Sequence, residues 1–227
     1  MVLPLTVLLR TEKVQPPRTR IPALPPGISV LLMALSQVTP SLFLSGADAP
    51  LNGALMSQKG ITLIVNATLS HALPAHPGVE CLRVPVCDLP CQPLGLHFDR
   101  VAERIHGNRA GGTLVHCAAG RSRSPALVMA YLMRFRGATL RQAHRRVLES
   151  RPCIRINAGF WEQLLQYERR LYGRNTVRVE PEGAGPLGTD QKQTAPFLFN
   201  HDATGDLVLT RFSLRCPSSE PATGRAR

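Results

Sequence analysis

The sequence predicts an α/β domain with a flexible extension at each end. Short β-rich apolar runs alternate with helical patterns between residues 36 and 179, which is typical of a sheet flanked by helices. Residues 1–35 are rich in proline, and residues 180–227 are rich in Gly, Pro, Ser and Thr, so we expect neither extension to form a packed core. The hydrophobic content of 44% over 227 residues suits one compact domain and excludes disorder of the full chain.

Four short apolar runs, each bounded by Gly, Pro or polar residues, predict the strands of the sheet. They lie at residues 42–44, 61–65, 81–86 and 113–116. The segment DLVLTRFSL at 206–214 also alternates like a strand. For that segment we favour an isolated apolar patch within an unstructured tail.

Helical periodicity predicts four helices, at residues 96–106, 124–136, 139–150 and 157–172. Thr139 and Asn157 are placed to cap the last two helices, and Gly137 and Gly173 to end the second and the fourth. Ligands of such sheets bind beyond the carboxyl ends of the strands. The loop after the last strand is therefore the first place to look for function.

That loop has an unusual composition. The last strand runs directly into His116-Cys117-Ala118-Ala119-Gly120-Arg121-Ser122-Arg123-Ser124 and then into a helix. Backbone N–H groups of a tight loop at a helix N-terminus form a cradle for an anion, and the helix dipole adds positive potential. Gly120 tolerates a backbone conformation that other residues resist, while Ala118 and Ala119 keep the loop walls low. Residues 118–123 are the predicted phosphate-binding set.

Cys117 and Arg123 supply reactive groups to this cradle. Positive surroundings favour the thiolate, which is the nucleophilic form of cysteine. The guanidinium of Arg123 offers two parallel hydrogen bonds to phosphate oxygens. A nucleophile, an oxyanion cradle and a cation together suit phosphoryl transfer through a cysteinyl phosphate. A structural cysteine at a strand end would not require this combination.

The pattern His-Cys-x5-Arg-Ser resembles the signature of the cysteine-dependent protein tyrosine phosphatase superfamily. The segments LSQVTPSLFLSG, GITLIVNAT, LRVPVCDLP, TLVHCAAGRSRS and RPCIRINAGFWEQLLQYERRLYG, in this order, are similar to a small atypical dual-specificity phosphatase over about residues 36–179. The resemblance implies a single-domain protein tyrosine phosphatase-like fold with a mixed, mostly parallel central sheet. It also implies that the chain consists of a catalytic domain without an additional kinase-docking domain.

The resemblance also implies roles for individual residues. Cys117 would be the nucleophile, and Arg123 would bind phosphate and stabilise the transition state. His116 would help to hold the thiolate, and Ser124 would assist breakdown of the intermediate. Asn157 resembles the residue that braces the phosphate loop, although a plain helix cap explains it equally well.

A phosphatase also needs an acid that protonates the leaving oxygen and then a base that activates water. The candidate for both is Asp88 in VPVCDLPCQPLG, directly after a predicted strand. An Asp-x-Pro sequence is also ordinary turn chemistry, so a solvated turn residue is the alternative. Val-Pro-x-x-Asp after a strand is similar to the general-acid loop of the family, which favours the catalytic role.

Two features depart from the family pattern. Ile156 stands where the family usually has Pro, which affects the local loop geometry, and residues beyond about 180 match nothing in the family. Cys87 and Cys91 flank Asp88, but Cys-x3-Cys without a second ligand pair is a weak metal site. A disulfide between Cys87 and an oxidised Cys117 is a hypothesis, set against the role of a buried small hydrophobe.

The charge of the chain is strongly positive. There are 27 Lys+Arg against 15 Asp+Glu, a net charge of +12. Seven arginines crowd the segment 134–155, after the cysteine loop: Arg134, Arg136, Arg141, Arg145, Arg146, Arg151 and Arg155. They suit a solvated basic face, a docking surface for an acidic or phosphorylated partner, or a nucleic-acid surface; the lack of interleaved aromatics argues against a platform for single strands.

The interpretation that we favour is a protein phosphatase acting on phosphotyrosine and on phosphoserine or phosphothreonine in kinase signalling. The alternatives are a phosphoinositide phosphatase, weakly favoured by the second loop arginine, Arg121, and a non-catalytic phosphoprotein-binding scaffold. We expect no cofactor, no metal, no nucleic acid and no transmembrane segment. We expect phosphorylated protein substrates, with MAP kinases or their regulators as candidates, in the cytoplasm and also in the nucleus.

Overall fold

The computed structural model describes residues 35–180, 197–201 and 207–211. The predicted leader, apart from its last residue, and most of the predicted tail lie outside the described residues, so both remain predictions. A five-stranded sheet forms the centre of the domain, with the order β1-β2-β5-β3-β4. Its strands are β1 (Ser36–Thr39), β2 (Leu42–Ser45), β3 (Ile61–Asn66), β4 (Glu80–Arg83) and β5 (Gly112–His116).

The sheet is mixed and mostly parallel. Only the β1–β2 pair is antiparallel, whereas β2, β5, β3 and β4 run parallel to one another. The sequence did not predict β1, because its SQVT residues are mainly polar. The predicted strand at 81–86 ends at Arg83 instead, before Pro85, which has no N–H to donate to a neighbouring strand.

Within the described residues, five α-helices surround the sheet: α1 (Gly53–Gln58), α2 (Phe98–Gly107), α3 (Arg123–Arg136), α4 (Leu140–Ser150) and α5 (Ala158–Tyr172). The four predicted helices are confirmed, while α1 is too short for its periodicity to be read. Thr139 caps α4 through a capping box, and Asn157 Oδ1 accepts from the Phe160 N–H at 3.0 Å. Gly137 and Gly173 end their helices with φ of 64° and 71°.

The core lies mainly on one face of the sheet. The middle helix, α3, is buried along most of its length and packs against α2, α4 and α5. A smaller apolar cluster covers the other face, where Met56 of α1 packs with Phe43 and Ile64 of the sheet. Burying α3 on several sides fixes its first turn relative to the ends of the strands. Within the described residues, none of the helices combines the length and the apolar character that crossing a bilayer requires.

A separate three-stranded sheet follows, made of β6 (Arg178–Glu180), β7 (Phe197–His201) and β8 (Leu207–Arg211). Its order is β6-β8-β7, with β8 parallel to β6 and antiparallel to β7. The interpretation of 206–214 as an isolated patch is therefore wrong for β8. Because β8 finds a partner on each side, one of them almost thirty residues earlier, its own pattern could not show the pairing.

Candidate active site

The predicted cysteine loop, residues 117–122, connects the end of β5 to the start of α3 at the carboxyl edge of the sheet. Cys117 is buried, with 1% of its surface exposed. Gly120 has φ of 66°, and an added Cβ would lie 2.5 Å from the carbonyl carbon and oxygen of Ser45. Both the backbone conformation and the contact with the end of β2 therefore require glycine.

Three successive carbonyls of the cysteine loop accept hydrogen bonds from other parts of the domain. They belong to Ala118, Ala119 and Gly120. The Ala47 N–H donates to the first at 3.0 Å, and the guanidinium of Arg151 donates to the other two at 3.2 and 2.8 Å. Arg151 is fully buried and also donates to Ser36 Oγ at 3.2 Å, which ties the loop to β1. These contacts fix the outer side of the loop.

Ser124 and Arg123 lie at the first turn of α3, beside the sulfur. The Ser124 hydroxyl donates to Cys117 Sγ at 3.2 Å. Arg123 is 8% exposed, and its Nη1 donates to the Val86 carbonyl at 3.1 Å. Among the described residues, its Nε has no hydrogen-bond partner, so this buried donor remains available to a ligand.

Asp88 lies on the rim of the cysteine loop. Its Oδ1 accepts from Ser122 Oγ and from Asn157 Nδ2, both at 2.7 Å, and its Oδ2 lies 3.8 Å from Arg123 Nε. The side chain is 38% exposed, so it is open to solvent on one side. The structure thus brings Asp88 to the loop, as its position directly after a predicted strand indicates, and a solvated turn residue does not explain these contacts.

Asn157 makes both of the contacts that the sequence left as alternatives. Its side-chain oxygen caps α5, and its backbone N–H donates to Ser122 Oγ of the cysteine loop at 3.2 Å. Its amide also donates to Asp88, so one residue joins α5, the loop and the carboxylate. Ile156, in place of the usual Pro, is buried and does not prevent this arrangement.

His116 is completely buried at the end of β5. Burial disfavours the charged ring and lowers its pKa from 6.5 to about 4, although the Cys117 backbone opposes the shift. The imidazole is consequently neutral at neutral pH. Any support that it gives to Cys117 is that of a neutral ring.

The remaining predicted residues are Arg121, Cys87 and Cys91. Arg121 Nε donates to the Cys153 carbonyl at 3.1 Å, so part of its guanidinium is already engaged outside the cradle. Cys87 is half-buried and Cys91 is exposed, and both are free thiols. The interpretation of these cysteines as buried small hydrophobic residues is therefore wrong for Cys91, which is exposed.

Arg151 is the residue of this site that the sequence reasoning missed. It stands 34 positions after Cys117, and we placed it in a basic surface. The structure buries it completely beneath the loop, so the solvated-face interpretation is wrong for this residue. Its position directly before Pro152, between two predicted helices, was the available signal that it differs from the helical arginines. No local sequence pattern, however, indicates that Arg151 is buried while its neighbours are exposed.

A buried cysteine and an arginine at opposite ends of a strand–loop–helix turn, with an aspartate on its rim, define a phosphatase of the cysteine-dependent, protein tyrosine phosphatase-like class. The dual specificity phosphatase catalytic domain matches residues 42–170, more than half of the chain. The chain belongs to the dual specificity phosphatase family, as a small atypical member.

Individual relatives agree with this assignment. The chain is 47% identical to human dual specificity protein phosphatase 14 over 147 aligned residues. This alignment covers 64% of this chain and 74% of that protein. It is 42% identical to mouse dual specificity protein phosphatase 18 over 158 residues, 69% of this chain and 84% of that protein. The crystal structure of human DUSP28 has a TM-score of 0.59 and 41% identity, and the match covers 60% of this chain and 94% of that one.

Proposed function

We propose that this dual-specificity protein phosphatase works through a cysteinyl-phosphate intermediate on Cys117. The observation that carries the proposal is the contact of Ser124 Oγ with Cys117 Sγ, in a loop whose rim holds Asp88. A merely structural cysteine needs neither a hydroxyl donor on its sulfur nor a carboxylate beside it.

In the first step, the Cys117 thiolate attacks phosphorus. An S–P bond forms while the ester P–O bond breaks, and Asp88 gives its proton to the departing oxygen. The loop amides and Arg123, whose Nε has no hydrogen-bond partner among the described residues, hold the phosphoryl oxygens as their charge develops. The substrate leaves as an alcohol or a phenol.

In the second step, water attacks the phosphoryl group. Asp88, now a carboxylate, accepts the proton of the water, and the S–P bond breaks to release inorganic phosphate. Ser124 Oγ, 3.2 Å from the sulfur, donates a hydrogen bond to the thiolate as it departs. Asp88 and Ser124 thus act on opposite sides of the phosphorus, Asp88 on the attacking water and Ser124 on the departing sulfur.

We further propose phosphorylated proteins of kinase signalling as substrates, with MAP kinases or their regulators as candidates, in the cytoplasm and the nucleus. The family supports a phosphoprotein rather than a lipid substrate. The phosphoinositide alternative depended on Arg121. Since Arg121 Nε is bonded to the Cys153 carbonyl, that argument loses weight.

Mass spectrometry after rapid acid quench tests the intermediate. Wild-type protein mixed with p-nitrophenyl phosphate should gain the mass of one phosphoryl group on the peptide that contains Cys117, and Cys117→Ser should hydrolyse nothing. Comparing the rates of phosphate release from matched phosphotyrosine, phosphothreonine and phosphoinositide substrates then ranks the substrate classes. Undiminished turnover by Cys117→Ser, or a faster reaction with phosphoinositides, would contradict the corresponding part of the proposal.

A further inference from the structure

A second concave surface lies at the edge of the sheet opposite the active site. It is a groove of about 710 Å³ between the β1–β2 turn, the end of α3 and the outer face of α4. Because α3 begins at the cysteine loop and rises ~1.5 Å per residue, its far end at Arg136 lies ~20 Å from that loop. We call this surface the arginine groove, defined by Pro40, Arg136, Gln142, Arg145, Arg146 and Glu149.

The walls of the arginine groove are basic. Gln142, Arg145, Arg146 and Glu149 follow one another at the spacing of a single helix face, and Arg136 faces them from the end of α3. Three arginines against one glutamate leave the groove with a net positive charge. It is therefore suited to an anionic ligand.

These arginines are less occupied than others in the same basic segment. Arg134 pairs with Asp99 and with Glu103, and Arg151 is buried beneath the cysteine loop. In contrast, Arg136 makes no hydrogen bond or ion pair within the part of the chain that the structure describes. Arg145 meets Glu149 only at 4.0 Å, with 71% of its side chain exposed.

Arg146 is held in place rather than free. Its Nε donates to the Val38 carbonyl at 3.0 Å, which fixes the guanidinium against β1. A fixed cation reduces the side-chain entropy that a ligand would have to remove. The groove thus combines a preorganised centre with adaptable sides.

The shape of the surface selects among anionic partners. Guanidinium groups bind carboxylates through two parallel hydrogen bonds. A groove that runs along one face of α4 fits an extended chain. No aromatic side chain lines it among the described residues, which disfavours single-stranded nucleic acid.

We propose that the arginine groove is a docking site for a run of Asp and Glu residues in protein substrates. This proposal rests on the phosphatase function. The docked acidic segment lies ~20 Å from the phosphorylated residue in a straight line along the buried α3. A substrate chain has to pass over the surface of the domain, so it needs more than the roughly six or seven extended residues that span this distance. The groove then raises the local concentration of a phosphorylated residue at the active site without contact with the reacting atoms.

Direct binding is the first test. A fluorescein-labelled oligoglutamate peptide should bind the full chain in a fluorescence anisotropy titration at low salt, and an oligoglutamine peptide should not. The double variant Arg136→Gln/Arg145→Gln should weaken binding about fivefold, because exposed ion pairs are individually weak. The matched control Arg100→Gln/Arg169→Gln removes the same charge from exposed positions outside the groove and should bind as the wild type does.

Tethered substrates provide the second test. A phosphotyrosine peptide joined to an acidic run by about twenty flexible residues, with an end-to-end span of ~25 Å, should show a KM about fivefold below that of the same peptide without the run, at equal kcat. The double groove variant should lose the difference, while its turnover of p-nitrophenyl phosphate stays unchanged.

The two proposals fail in different ways. If p-nitrophenyl phosphate is not turned over by the wild type, the phosphatase mechanism itself fails. If it is turned over but the acidic run gives no advantage, the docking proposal is overturned. An equal loss in the control variant would mean that net charge, rather than the groove, attracts the peptide.

Discussion

The hydroxyl of Ser124 is the donor that the structure places on the sulfur of Cys117, at 3.2 Å in a buried site. A hydrogen bond to a departing thiolate matters most in the second step, when the S–P bond breaks. We therefore predict that Ser124→Ala slows hydrolysis of the intermediate more than its formation. The free energy of a hydrogen bond to a charged group corresponds to a rate factor of roughly 10 to 100, so we expect Ser124→Ala to lower kcat by that factor.

Stopped-flow measurement with p-nitrophenyl phosphate separates the two steps. Ser124→Ala should show a burst of p-nitrophenol that approaches one equivalent of enzyme, followed by a slow steady state. Ser124→Thr keeps a hydroxyl and serves as the matched control. A slow first step without a burst would show that Ser124 supports attack rather than breakdown.

Arg151 is a positioning residue, because it contacts the loop and not the reacting atoms. Its guanidinium joins the carbonyls of Ala119 and Gly120 to Ser36 of β1. We predict that Arg151→Lys, which keeps the charge and loses the planar fork, lowers kcat at least tenfold through a loosened loop. Ser36→Ala removes only the β1 contact and should cost less than fivefold, near ~1 kcal/mol.

Two measurements distinguish positioning from general stability. The rate of iodoacetate alkylation of Cys117 reports the loop geometry, and urea unfolding reports the domain. Arg151→Lys should change the alkylation rate at a temperature where the domain stays folded. If kcat falls only in proportion to the unfolded fraction, Arg151 has a purely structural role.

At the scale of elements, the Asp88 loop is held by the start of α5. Gly159 in the first turn of this helix packs so closely on the loop that an added Cβ would lie 1.8 Å from the Pro90 carbonyl oxygen. Gly159→Ala must therefore push the loop and the helix apart. We predict that this displaces Asp88 and slows turnover of substrates with poor leaving groups, which depend most on the acid.

Phenyl phosphate and p-nitrophenyl phosphate supply the comparison, with Asp88→Ala as the reference. Gly159→Ala should lower kcat/KM for phenyl phosphate by at least tenfold more than for p-nitrophenyl phosphate, as Asp88→Ala should. Gly107→Ala adds a Cβ in open space at the end of α2 and is the control. An equal loss on both substrates would mean that the loop keeps its position.

The same elements show what the sequence could predict. Helices with clear caps, such as those begun by Thr139 and Asn157, were predicted to within a residue or two because the capping contacts are local. The function of the cysteine loop could be predicted for the same reason, because its reactive residues follow one another directly in the sequence. The roles of Arg151 and Ser36 could not, because Arg151 meets the loop, and Ser36 meets Arg151, only after the chain folds from positions far along the sequence.

At the scale of the whole molecule, one buried helix connects the two anion-binding surfaces. The first turn of α3 carries Arg123 and Ser124 to the cysteine loop, and its last turn carries Arg136 to the arginine groove. Because α3 is packed on several sides, its two ends hold a fixed separation. Spacing between a phosphorylated residue and an acidic run could then become a basis of substrate selection.

Global stability should depend on pH through His116, which is fully buried with its pKa lowered from 6.5 to about 4. Between these values the unfolded chain binds a proton at this position and the folded chain does not. The free energy of unfolding therefore falls as the pH falls from about 6.5 to 4. Above pH 6.5 the ring is neutral in both states, so the domain keeps the full stability that the neutral ring allows. At ~1.4 kcal/mol per pKa unit, the loss is on the order of 3 kcal/mol.

Urea unfolding of the wild type and His116→Asn at several pH values between 4 and 7 measures this contribution. The carboxylates titrate in both proteins, so the difference between their pH dependences isolates His116. We expect the wild type to lose on the order of 3 kcal/mol more than His116→Asn over this range. His106→Asn, near the end of α2, is the control and should follow the pH dependence of the wild type. Parallel pH profiles for the wild type and His116→Asn would show that the buried ring becomes protonated as readily in the folded chain as in the unfolded one.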